Sequence, residues 1–134
     1  GNAGSQAGTQ ALGDFLSSSS AALSARAADS LGQIKSASAK RLLTDSMLKE
    51  SRPAVLGSII ASLGDSNLTA AEVAQLKTKT APGEALVIRR AAVEAISKQA
   101  ASLPEAKAVL KDLMVETTDR QSLEHIMRAL YGGD

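Results

Sequence analysis

Leu63, Ile96 and Leu130 recur at intervals of 33 and 34 residues, each near the end of a stretch with helical periodicity. Small residues precede all three: Ser62, Ala95 and Ala129. The stretches that precede these helices open near Ser38, Thr69 and Ser102, at about the same interval. A helix pair repeating every 33 residues or so is the mark of an α-solenoid. In such an array each pair buries its apolar face only against its neighbours. This recurrence restricts the chain more than any other feature. It predicts an all-α fold: a short right-handed α-α solenoid of three helix pairs, preceded by one N-terminal helix. An irregular helical bundle that only looks repetitive is the alternative.

Composition points the same way. Of the 134 residues, 44% are hydrophobic but only 1% aromatic, with one Phe, one Tyr and no Trp. Ala is the commonest residue, and no β-branched or aromatic alternation stands out. Scarce aromatics argue against a β-sandwich, a base-stacking surface or a sugar-stacking cleft. With no Cys there is no disulfide framework, thiolate zinc site, iron–sulfur cluster or cysteine nucleophile. No apolar run is long enough to span a membrane. A soluble protein, cytoplasmic or exported, is expected.

The helices can be placed one by one. Residues 10–35 read as a single N-terminal helix, with Leu12, Leu16, Ser19, Leu23, Ala27, Leu31 and Ile34 on one stripe. Ser17 to Ser20 weaken it, because Ser side chains compete for backbone hydrogen bonds. A Ser-rich leader that folds only on a partner is the other reading. Residues 1–9 are too polar to offset their ordering entropy and read as a disordered tail or an expression remnant. Residues 10–131 read as one helical domain, with the three pairs over 36–131 and a short tail at 132–134. Helix two spans 38–50, with Leu42, Leu43, Met47 and Leu48 apolar. Helix three carries Pro53 in its first turn and Val55, Leu56, Ile59, Ile60 and Leu63 inward. Helix four opens on a capping box, Thr69 with Glu72, and a hydrophobic staple of Leu68 and Val73. Helix five buries Ile88, Ala91, Ala92, Ala95 and Ile96. Helix six opens on a second capping box, Ser102 with Glu105. Helix seven buries Leu123, Ile126, Met127 and Leu130.

The stretch Leu86-Val87-Ile88-Arg89-Arg90-Ala91-Ala92-Val93-Glu94-Ala95-Ile96 resembles the second helix of a short HEAT repeat of the phycobilisome-lyase type. That helix typically reads Val-Arg-x-x-Ala-Ala-x-Ala-Leu. Pro104-Glu105-Ala106 through Leu113-Met114 is similar to the first helix of the next repeat. The likeness spans residues 36–131 at most and is strongest over 84–116. Pro53-Ala54-Val55 and Gln121-Ser122-Leu123 do not keep the Val-Arg step. The resemblance implies a stack of helix pairs that offers an extended surface to a partner.

Little in the chain carries chemistry. His125 is the only histidine; the face assigned to helix seven turns it toward solvent, beside Glu124. A base there would need a nucleophile and a pocket, and a metal would need more ligands. Gly64 to Thr69 does not match the spacing of a calcium loop, and Glu72 is already used in the cap. No catalytic residue, cofactor or metal is expected.

Charge is more informative. The net charge is +1. It is uneven: 35–52 and 77–98 each carry five basic and two acidic residues, while the last 36 residues carry four basic and six acidic. In a solenoid the second helices share one face, so Arg52, Arg89 and Arg90 would lie on or beside one ridge, with Lys77 and Lys79 next to it. These five are the candidate partner-binding residues. The expected partner is another protein, a peptide or helix of acidic character. The function expected is a non-enzymatic interaction or scaffold module. The alternatives are a helical domain of a bacterial secreted effector or envelope adaptor, and phosphate-backbone binding, which the low net charge disfavours.

Overall fold

The computed structural model describes residues 2–132, with side chains from residue 7 onward. Among them there are α-helices and one short 3₁₀ turn, and no strand. The helices are α1 (Asn2–Leu16), α2 (Ala21–Ile34), α3 (Ala37–Lys49), α4 (Pro53–Gly64), α5 (Ala70–Lys77), α6 (Leu86–Gln99), α7 (Pro104–Glu116) and α8 (Arg120–Tyr131). The 3₁₀ turn, Thr78–Thr80, follows α5 directly.

The chain divides between Ser66 and Asn67 into two compact units. Each unit contains two helix pairs. In unit 1, α1 pairs with α2 and α3 with α4; the first helices touch each other, as do the second helices. Unit 2 repeats the plan with α5 and α6, then α7 and α8. The three expected pairs are therefore preceded by a fourth pair rather than by a single helix.

The serines explain that correction. The helix expected over 10–35 breaks at Ser17–Ser20. Ser18 Oγ accepts the Ser20 N–H at 3.1 Å. Ser20 Oγ accepts the Leu23 N–H at 3.3 Å and so caps α2. Side-chain oxygens have replaced the carbonyls that a continuous helix would use. Residues 2–9 belong to α1 instead of forming a disordered tail, and Thr9 is buried. Of the tail expected at 132–134, Gly132 caps α8 and residues 133–134 lie outside the described residues.

The capping box at Thr69 forms as expected. Thr69 Oγ1 accepts the Glu72 N–H at 3.2 Å, and Glu72 Oε1 accepts the Thr69 N–H at 2.8 Å. Leu68 and Val73 are both buried. The box expected at Ser102 and Glu105 does not form: Leu103 is the cap residue and Pro104 starts α7. Proline has no N–H to satisfy, so a start at Pro104 leaves one donor fewer for a cap.

Buried faces largely follow periodicity. Val55, Leu56, Ile59, Ile60 and Leu63 of α4 are all buried, as are Ile88, Ala92, Ala95 and Ile96 of α6. Four large apolar positions differ, and one of them, Ile34 at the end of α2, is about one-third exposed. Leu23, Leu48 and Met127 are about half exposed, because the contact faces of α2, α3 and α8 are rotated toward Ser24, Ala39 and Ser122. Small residues at those places let the helix backbones approach closely. The closest approach is Gly32 of α2 against α4: a Cβ there would fall 2.6 Å from the Ser62 Cβ and 2.7 Å from its Oγ. Ser62 Oγ donates to the Ala28 carbonyl at 2.9 Å across the same crossing.

Candidate functional site

The five cations singled out by charge differ in their surroundings. Arg52, in unit 1, is a structural hub. Its guanidinium pairs with Glu50 at 2.9 Å. It also donates to the Ser18 carbonyl at 2.7 Å, to the Leu16 carbonyl at 3.4 Å and to Ser24 Oγ at 3.1 Å. The last carbonyls of a helix have no partner within the helix, and a cation suits its negative end. Arg52 therefore closes α1 and holds the α1–α2 turn. Its hydrogen bonds also hold the Glu50 carboxyl below its usual range.

Arg90, on α6, is committed in the same way. It makes a bidentate pair with Asp119, with Nη2 to Oδ1 at 2.7 Å and Nε to Oδ2 at 3.0 Å. Asp119 is also the N-cap of α8, accepting the Ser122 N–H at 2.9 Å and the Ser122 Oγ–H at 2.8 Å. Arg90 first, and then the Ser122 N–H, hold the Asp119 carboxyl far below its ordinary value of 3.8. The ion pair and the helix cap are thus one assembly.

The other three cations are less committed to the fold. Lys77 lies 3.9 Å from Asp112, a loose contact between two well-exposed side chains. Lys79, in the 3₁₀ turn, makes no ion pair among the described residues. Arg89 donates from Nε to the Glu84 carbonyl at 3.1 Å, and its two terminal nitrogens have no acceptor among the described residues.

Arg89 also lines a cleft of about 160 Å³ in unit 2. The apolar surface comes from Leu86 and Val93 of α6 and Leu113 of α7. Thr80 and Pro82 contribute from the α5–α6 connection, and Thr117 and Thr118 from the α7–α8 turn. Glu116 lines it from the end of α7. The charge pattern pointed to Arg89 but gave no sign of this cleft, because its lining comes from segments up to 42 positions apart, Thr80 to Ser122.

Unit 1 has a different character. A wide groove of about 680 Å³ along α2 and α4 is lined by Asp29, Asp65 and Lys35, with Gly32 and Ser62 between. Lys35 sits in the left-handed region at φ 58 and ends α2; its Nζ donates to the Asp65 carbonyl at 2.6 Å. A smaller apolar groove between α1 and α2 exposes half of Phe15 and almost half of Leu23.

His125 is not turned away as expected. It is about one-quarter exposed, and its Nε2 lies 3.8 Å from Glu94 of α6. The rotation of α8 that exposes Met127 brings His125 to the edge of the α6 contact. Among the described residues, no group of three His, Cys, Asp or Glu side chains stands together as a metal site would require. No helix among them is long and apolar enough to cross a membrane.

No family model matches the chain, and no curated protein is similar to it in sequence. A solved structure of human deoxyhypusine hydroxylase in complex with glycerol is similar in fold, with a TM-score of 0.75 and 22% identity. The match covers 91% of this chain and 42% of that chain. At this identity the likeness shows the fold alone. With the helix pairing above, it makes the protein an all-α solenoid of helix pairs.

Proposed function

We propose that this chain is a non-enzymatic interaction module that captures an acidic segment of a partner protein on unit 2. The observation that carries this reading is the division among the five cations. Arg52 and Arg90 are committed to turns of the fold. Lys79 and the terminal nitrogens of Arg89 are left for a ligand, with Lys77 held only loosely. Helix-pair arrays suit such a role because their rigid surfaces bind without large rearrangement. We read the repeats as nearest to the HEAT kind, on the strength of Leu86 to Ile96.

The test is charge reversal. A partner is first identified by cross-linking and mass spectrometry and then purified. Binding of that partner to wild type should weaken as salt is raised, since exposed charges are screened. The double variant Lys79→Glu/Arg89→Glu should lose binding while keeping its helicity by circular dichroism. Full binding by the folded double variant would refute the reading.

A further inference from the structure

We infer that the cleft beside Arg89 recognises an extended segment by one aliphatic side chain next to a carboxylate. This rests on the acidic-partner reading above and adds to it the feature that would make capture selective. Exposed positive charge by itself attracts acidic chains without regard to their sequence. The cleft supplies what charge lacks. Its volume of about 160 Å³ is close to that of a cavity known to hold a benzene ring, so it suits one medium-sized side chain. Leu86, which is partly exposed, gives that side chain an apolar wall, and the largely buried Val93 and Leu113 also line the cleft.

The polar groups set the neighbours of the anchor. Arg89 lines the cleft from α6, and its terminal nitrogens can donate in parallel to a carboxylate, the geometry for which a guanidinium is suited. Glu116 lines it from α7, and its carboxylate disfavours a second acid on that side. Asp119 does not compete for the ligand, because Arg90 and Ser122 already hold both of its oxygens. The cleft is therefore polarised: cationic on the α6 wall, anionic on the α7 wall, apolar between. An occupant of matching polarity has an acid on one side of its aliphatic residue and a neutral or basic residue on the other. Thr117 and Thr118 in the α7–α8 turn, which also lines the cleft, can hydrogen-bond the backbone of an extended segment.

The test uses the whole chain and a phage-displayed library of random dodecapeptides. Selected peptides should be enriched in Asp or Glu next to Leu, Ile or Val. One enriched peptide is then synthesised and its affinity measured by fluorescence anisotropy. Changing its aliphatic residue to Ala should weaken binding about tenfold. Arg89→Gln in the protein should weaken it about tenfold or more. Thr118→Trp, which fills the cleft from an exposed position, should do the same without touching a charge. Methyl resonances of Leu86, Val93 and Leu113 should shift on binding. If enriched peptides are acidic but keep full affinity when the aliphatic residue becomes Ala, the anchor is wrong and the acidic-partner reading stands. If selection yields no acidic preference, both fail.

Discussion

In unit 1, the arginine before the second helix of a pair reaches back to the Leu16 and Ser18 carbonyls at the α1–α2 turn. In unit 2, the arginine on the second helix reaches forward to a carboxylate at the following turn. Arg52 and Arg90 both lock a turn between two helices, but they do it with different chemistry. Arg52 satisfies the end of α1 and needs no acid there. Arg90 depends on Asp119, which must also cap α8. The units differ in their helix crossings as well. Unit 1 has a glycine contact, Gly32 on Ser62, that leaves no room for a Cβ. In unit 2, α6 turns alanines inward and α8 presents Ser122 and Ile126. One architecture is thus closed by backbone proximity in one half and by a side-chain ion pair in the other.

This contrast can be broken in several ways. The largest effect is expected where the units are alike. Ile59→Ala in unit 1 and Ile96→Ala in unit 2 remove fully buried aliphatic groups, and each should cost about 2–5 kcal/mol in chemical denaturation. The next concerns unit 1 alone. Gly32→Ala should cost about 1–3 kcal/mol through overpacking, despite the better helix propensity of Ala. In a double-mutant cycle, Ser62→Gly should cost less in the Gly32→Ala background than in wild type. A stabilising Gly32→Ala would show that the crossing is loose.

Acid should affect unit 2 through Asp119. Its carboxyl is held below 3.8 in the fold, so its contribution is complete above that value and is lost as pH falls further. Thermal melts of wild type should decline below about pH 4, the range where an unfolded Asp takes up its proton. Asp119→Asn should be less stable at neutral pH and should flatten that decline. If Asp119→Asn melts like wild type at neutral pH, the coupling of cap and ion pair is wrong. The smallest effect belongs to His125→Ala, within about 0.5 kcal/mol, because the side chain lies at the edge of the α6 contact with only a 3.8 Å approach to Glu94.

Much of the helical plan was legible from sequence, because helix faces and starts are local. Periodicity identified the inward residues of α4, and Thr69 with Glu72 marked the start of α5 from four adjacent positions. Ser17 to Ser20 carried the signal for the break between α1 and α2, but Ser is ambiguous: it weakens a helix interior and also caps a helix end. Tertiary contacts resolve that choice: Ser24 Oγ donates to the Phe15 and Ser18 carbonyls at 3.2 and 3.0 Å, and Arg52 donates to those of Leu16 and Ser18. The exposed Met127 was hidden for a similar reason. Leu123, Ile126, Met127 and Leu130 define an apolar stripe, while the neighbouring helix decides which edge of it is covered.

The 33-residue recurrence and the shortage of aromatics were enough to specify a stack of Ala-rich helix pairs. They did so because helix periodicity and close packing are written in residues a few positions apart. Charge clustering likewise named the five cations. Which of them stay available was settled by tertiary structure alone. Arg52 meets Ser18 across 34 positions and Arg90 meets Asp119 across 29, and no local rule foretells such encounters. The cleft beside Arg89 has the same origin, since a cavity belongs to the space between elements and not to any one stretch of chain.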